Sequence, residues 1–280
     1  MGSPVPPRKK PNNRSQFSEG LHQNRTGLKT RVIAVIMVRS GQVVQSIKFK
    51  HTNIIHSDAI HAVDAFNRWS VDEIILLDVS PVRPGRQHFL RILERLSEAC
   101  FLPLAVGGWL ESKEYAQELL SSGADKLVVN TVLADNPQLV RDLSKKYGRQ
   151  CIVASIDFRR GAAESSVYVD RGRRNINIDP KDWAARAQQL GVGEILLNCI
   201  DNDGAREGYV LSEVRNVCDR VQIPVIAFGG VFRWKHMLDG LAAGADAVAA
   251  ANIFHYTEHS TIYAKRYLAD QGIPIRKQGR

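Results

Sequence analysis

Self-similarity at a fixed offset constrains this chain more than any local propensity. Val71-Asp-Glu-Ile-Ile-Leu-Leu returns as Val192-Gly-Glu-Ile-Leu-Leu-Asn, and Leu102-Pro-Leu-Ala-Val-Gly-Gly returns as Ile223-Pro-Val-Ile-Ala-Phe-Gly-Gly. Gly123-Ala-Asp-Lys returns as Gly244-Ala-Asp-Ala, so the offset is close to 121 residues. Repetition of this kind reports architecture directly. From Arg31 onward, short Val/Ile/Leu runs alternate with amphipathic stretches, as parallel strands buried on both faces do when helices link them. The runs are Val32 to Val38, Glu73 to Val79, Leu102 to Val106, Lys126 to Asn130, Cys151 to Asp157, Glu194 to Cys199, Val225 to Phe228 and Ala247 to Ala251. Each half holds four strand–helix units, and two such halves close a (β/α)8 TIM barrel. A doubly wound open sheet would need a reversal of strand order that nothing in the sequence marks.

Helix boundaries agree with this count. Ser57 before Asp58, Asp135 before Asn136-Pro137 and Asp179 before Pro180 place a capping side chain near a proline or an acidic first turn. Gly123, Gly191 and Gly244 stand where helices should stop.

Composition supports one barrel domain over residues 30–280. At 280 residues and 44% hydrophobic content, the chain is long enough for a buried core of that size. Its net charge of +9 is concentrated at the start, where Arg8, Lys9, Lys10, Arg14, Arg25 and Lys29 oppose Glu19 alone and leave only +4 for the rest. Met1 to Lys29 is rich in Pro, Asn, Gln and Ser with almost no apolar periodicity, so it is expected to be a disordered basic tail. The tail reads as solvated, and no nucleic-acid partner is expected. No apolar run approaches the roughly 20 residues of a membrane span. Cys100, Cys151, Cys199 and Cys218 lack CxxC spacing, and three of them lie in strand or helix interiors, which suits reduced thiols in the cytoplasm.

In a barrel of this kind, polar residues just after each strand face the ligand. Gly107-Gly108 and Gly229-Gly230 follow the third and seventh runs, while Asn130-Thr131 and Ala251-Asn252 end the fourth and eighth. Two glycine pairs in matching halves suit two phosphates held by backbone amides, although one pair alone would suit a tight turn. Asp157 closes the fifth run, where it can act as a general base, order a substrate hydroxyl, or simply pair with Arg159 or Arg160. Asp201-Asn-Asp203-Gly204 after the sixth run is either a polar site or an Asp-rich turn. The histidines show no HxH or HExxH spacing, and neither metal nor cofactor is expected.

These residues together resemble the cyclase subunit of imidazole glycerol phosphate synthase, HisF. The resemblance runs from Arg31 to about residue 276 through Leu77-Asp78-Val, Val106-Gly-Gly, Asp125-Lys126, Val129-Asn130-Thr131, Ile156-Asp157, Gly193-Glu-Ile-Leu-Leu and Ala250-Ala-Asn-Ile-Phe-His255. It implies a lyase of histidine biosynthesis in which ammonia from a HisH-like glutaminase rises through the barrel to a bisphosphorylated substrate. It further implies catalytic aspartates ending the first and fifth strands, a charged ammonia gate at the base and a glutaminase contact at Asp125. Asp157 matches the fifth-strand aspartate, and Arg31, Glu73, Lys126 and Glu194 match the gate, which could also be an ordinary ring of ion pairs.

Three positions depart from the family pattern. Met37 stands where the family has the first-strand aspartate, Val43-Val44-Gln45-Ser46 lacks its lysine, and Trp109 replaces its third glycine at the first phosphate site. Gly204, Gly230, Ala251 and Asn252 keep the second phosphate site. With Lys48-Phe49-Lys50, these changes resemble HisF-like paralogues of acetamidino modification in surface-polysaccharide biosynthesis. That resemblance implies a phosphorylated ligand and a sugar amidotransferase as further partner. The alternatives are a true cyclase in which Asp78 or Asp201 replaces the missing acid, and a non-catalytic scaffold that activates a glutaminase.

Overall fold

The computed structural model describes residues 29–60, 62, 66, 71–81, 86–162, 164–255 and 260–276. The expected disordered tail lies outside them apart from Lys29. Eight parallel strands alternate with helices: β1 (Arg31–Arg39), β4 (Glu73–Asp78), β5 (Leu104–Gly107), β6 (Lys126–Val129), β7 (Ile152–Arg159), β10 (Glu194–Cys199), β11 (Val225–Phe228) and β12 (Ala247–Ala250). Each pairs with the next, β12 pairs with β1, and β7 pairs with β10, so the sheet closes into the barrel expected from the repeat.

The helices that follow the strands are α1 (Arg86–Ala99), α2 (Lys113–Ser121), α3 (Thr131–Asp135), α4 (Pro137–Tyr147), α5 (Pro180–Gln189), α6 (Leu211–Arg220), α7 (Trp234–Ala242), α8 (Asn252–His255) and α9 (Ser260–Asp270). Asp179 caps α5 by accepting from the Lys181 N–H, as expected. The cap expected at Asp135 is Asn136, which accepts from the Leu139 N–H with Pro137 in the first turn, while Asp135 ends α3 and pairs with Arg174. Gly123 and Gly244 follow α2 and α7 at φ of 105° and 108°, a conformation that a side chain would oppose.

Two antiparallel hairpins were not anticipated from the sequence. One is β2 (Gln42–Ile47) with β3 (His51–His56), joined to β1; the other is β8 (Ser166–Val169) with β9 (Arg174–Asn175), joined to β7. Each springs from the first barrel strand of its half.

Register decides which side chains enter the barrel. Val128 and Glu194 both pair with Val153, Ser155 pairs with Leu196, and Asp157 pairs with Asn198. On β1 the matching face carries Arg31, Ile33, Val35 and Met37, with Met37 level with Leu77. Ile33, Val35, Ile75, Ala105, Val128, Val153, Leu196 and Ile226 form an inner apolar cluster, while the opposite strand faces pack on helix residues such as Leu93, Leu119 and Val140. The interior is therefore charged at the base, apolar through the middle and polar at the mouth.

The repeated Gly-Ala-Asp has a physical reason. Asp125 Oδ2 accepts from Leu104 N at 2.8 Å and Asp246 Oδ2 accepts from Val225 N at 2.9 Å, so each carboxylate holds the first amide of the preceding strand. Asp72 likewise accepts from the N–H of Val32, the second residue of β1, at 2.8 Å and is itself paired with Lys265 at 2.6 Å.

Candidate functional site

At the base of the barrel four side chains from β1, β4, β6 and β10 close a ring of alternating sign. Arg31 bonds Glu73 at 2.5 Å and also Glu194, while Lys126 Nζ reaches Glu73 at 2.7 Å and Glu194 at 3.1 Å. Burial works against the Arg31 charge, but Glu194 and Glu73 overcome it and hold its pKa above the ordinary value. Burial likewise opposes ionisation of Glu194, and Arg31 with Lys126 reverses that, leaving its pKa below the usual range.

The mouth is organised around Asp157. Its Oδ1 accepts from Asn198 Nδ2 at 2.9 Å and its Oδ2 accepts from Asn130 Nδ2 at 3.0 Å, and Asn130 also donates to the Ser155 carbonyl at 2.9 Å. Burial pushes the Asp157 carboxyl up to about 7, and nearby Asp203 adds to the rise against the bond from Asn198. A carboxyl poised there can accept or return a proton near neutral pH. The simpler pairing with Arg159 or Arg160 does not occur: the Arg159 side chain bonds Asp201 at 3.0 Å and the Arg160 N–H bonds it at 2.9 Å.

Asp203 holds the first hairpin in place. It accepts from Ser46 Oγ at 2.5 Å and from Phe49 N at 3.4 Å, and its carbonyl accepts from Lys48 N at 3.0 Å. Burial raises its pKa against these bonds, and burial raises that of Asp78 against the bonds from Ser80. Asp78, Asp157 and Asp203 all line a cavity of about 460 Å³, which Met37 and Trp109 also face. Asp78 Oδ2 and Asn198 Oδ1 are buried without a hydrogen-bond partner, so two acceptors there await a donor.

A family model described as "Histidine biosynthesis protein" matches residues 31–260. The chain belongs to that family. The match begins at Arg31 of the basal ring and ends at Ser260 in the last helix.

Within this histidine biosynthesis family barrel, a second cavity of about 430 Å³ opens beside the first and shares Asp203 and Phe228 with it. Gly204, Gly230, Ala251 and Asn252, the four residues that the resemblance assigns to the second phosphate site, line it from three loops together with Gly229. Their glycines stand at φ of 68°, 91° and 85°, a left-handed conformation that a residue with a Cβ would adopt only under strain. On the other side Gly108, Asn130 and Thr131 line the larger cavity, whereas Gly107 ends β5 against Val128 and lines neither. Asp201 also lines neither, being turned toward Arg159. Asp125 lies below, occupied with Leu104 N.

Trp109 stands at φ 54°, in the left-handed region, which costs about 1 kcal/mol for a side chain of this kind. The Arg171 guanidinium lies 5.0 Å from the centre of its ring and donates to the Ser80 carbonyl at 2.8 Å, tying the second hairpin to the end of β4. Asn198, Ser46 and Arg171 are site residues that sequence reasoning missed. Asn198 carried a usable signal, an amide ending an apolar run in the repeat position of Leu77. Among the described residues no cluster of three or more His, Cys, Asp or Glu can hold a metal ion, and no helix is long and apolar enough to cross a membrane.

Proposed function

We propose that this barrel receives ammonia from a HisH-like glutaminase docked beneath Arg31, Glu73, Lys126 and Glu194 and delivers it to an acceptor at the mouth. The acceptor process is acetamidino modification of a surface-polysaccharide sugar, with a sugar amidotransferase above and a cytoplasmic setting. One contrast carries the reading: the basal ring is complete, while Met37, which cannot transfer a proton, shares a cavity with Asp157. In this reading Arg31, Glu73, Lys126 and Glu194 form the gate, Asp125 lies at the glutaminase contact, and Asp157 orients the acceptor or moves its proton. Gly204, Gly229, Gly230, Ala251 and Asn252 hold a phosphate, with Gly108, Asn130 and Thr131 on the opposite wall.

The test is transfer of labelled nitrogen from glutamine amide to the sugar when barrel, glutaminase and amidotransferase are combined. Label in the sugar that vanishes when the barrel is omitted is expected. Transfer that proceeds equally without the barrel would defeat the reading.

A second reading, a working cyclase, is favoured by Asp78, whose buried Oδ2 is unpartnered in the cavity that Asp157 lines. General acid catalysis contributes roughly 10²- to 10⁴-fold, so a cyclase without a substitute acid would be poor. Turnover of the bisphosphorylated ribulosyl substrate with ammonium alone, lost in both Asp78→Asn and Asp157→Asn, would establish it.

A further inference from the structure

The smaller cavity carries more positive charge than one phosphate requires. Gly204, Gly229 and Gly230 line it with backbone that no Cβ covers, and its outer rim adds the side chains of Arg206 and Arg233. Neither arginine has a carboxylate partner among the described residues, whereas Arg159, Arg160, Arg171, Arg173 and Arg174 around the same mouth each pair with an acid. Among the described residues the only carboxylate lining this cavity is Asp203, which Ser46 and the Phe49 amide already occupy. At about 430 Å³ the space falls in the range of cavities that hold whole small molecules rather than a single oxyanion.

A flat group stands beside those charges. The Arg206 guanidinium lies 4.7 Å from the centre of the Phe232 ring, and Phe232 remains 44% exposed although it lines the cavity. Asn252 Oδ1 is buried on the same wall without a hydrogen-bond partner. A half-exposed aromatic ring next to two cations without carboxylate partners suits a planar heterocycle joined to an anion, since every nucleobase has a face to stack.

We infer that this cavity binds a nucleoside diphosphate group, one phosphate on the amides of Gly204, Gly229 and Gly230, the other on Arg206 and Arg233, the base against Phe232. The inference rests on the reading of a phosphorylated ligand at this cavity, and it makes the acceptor a nucleotide-linked molecule. Arginines at the rim meet the second phosphate through charge-assisted bonds that a monoester seated on the glycines would leave unused.

Calorimetric titration of the full chain with inorganic phosphate, inorganic pyrophosphate, UMP, UDP, AMP and ADP tests this without ammonia, glutaminase or turnover. Failure of ammonia transfer would leave its result standing, and the reverse also holds. Pyrophosphate should bind at least about tenfold more tightly than phosphate, and UDP or ADP more tightly than its monophosphate and than pyrophosphate. Arg206→Ala and Arg233→Ala, both on the exposed rim, should each remove about tenfold from diphosphate affinity and little from that of phosphate. Phe232→Ala should weaken the nucleotide and spare pyrophosphate. Equal affinity for mono- and diphosphates, binding of none of the six, or arginine variants that bind as the parent does would overturn the inference.

Discussion

Asn198 Nδ2 donates to Asp157 Oδ1 at 2.9 Å from a side chain level with it on the neighbouring strand. This bond favours the charged carboxylate, yet burial outweighs it, and the group titrates near 7 in place of 3.8. The native state therefore keeps a proton that the unfolded chain has already lost. Stability should fall as pH rises from about 4 to about 7 and level off above. Urea denaturation of Asp157→Asn should show a smaller slope across that window, the variant gaining on the order of 2–4 kcal/mol relative to the parent between pH 4 and pH 8. A pH-independent difference between the two proteins would contradict the assignment.

The basal ring gives the opposite slope. Glu194 has a folded pKa below its ordinary 4.5, so its contribution is complete above that value and lost as pH falls through the lowered one. Glu194→Gln leaves Arg31 and Lys126 each short of a partner and should cost about 2–3 kcal/mol at pH 7. The same comparison at the lowest pH at which both proteins remain folded should find most of that difference gone.

Gly108 sits at φ 116° with Asp78 behind it, and an added Cβ would meet both Asp78 Cβ and its carbonyl oxygen at 2.7 Å. Gly108→Ala should therefore destabilise by about 2–3 kcal/mol. Gly272, at φ 84° with nothing within 4 Å, supplies the comparison, and Gly272→Ala should cost only about 1 kcal/mol. Thermal or urea unfolding of the two variants separates crowding from backbone strain.

Ser46 ties the first hairpin to Asp203 through a 2.5 Å bond. Ser46→Ala should lower stability by about 1–2 kcal/mol. Because that bond pulls the Asp203 pKa down, carboxyl NMR should find Asp203 titrating at higher pH in the variant. An unchanged titration would mean that the hairpin is held by its backbone bonds alone.

The barrel was legible because its signal is repeated. Eight apolar runs, each buried on both faces, leave no alternating pattern to confuse with an exposed sheet, and the 121-residue offset supplied the twofold arrangement. The hairpins were not legible, since β3 buries none of its six residues and its exposed and half-buried positions follow no period, while β9 has only two residues, too short for periodicity to register. Asp157 could be found because it ends an apolar run, although the strand itself continues to Arg159. The bonds that distinguish Asp201 from Asp203, two residues apart, depend on which way a turn faces, and no local pattern encodes that. Arg171 escaped notice for a related reason: its partners, Trp109 and Ser80, lie 62 and 91 residues away in the chain.

The ring at the base is divided unevenly between the halves, with Arg31, Glu73 and Lys126 in the first and Glu194 alone in the second. Two copies of the first half would bring four cations against two carboxylates, and two copies of the second would bring two carboxylates with no cation. Only the unlike pair balances. If the chain were cut near Gly148 and its fragments allowed to reassociate, charge matching at this ring would favour one of each over either self-pairing, so the resemblance between the halves does not make them interchangeable.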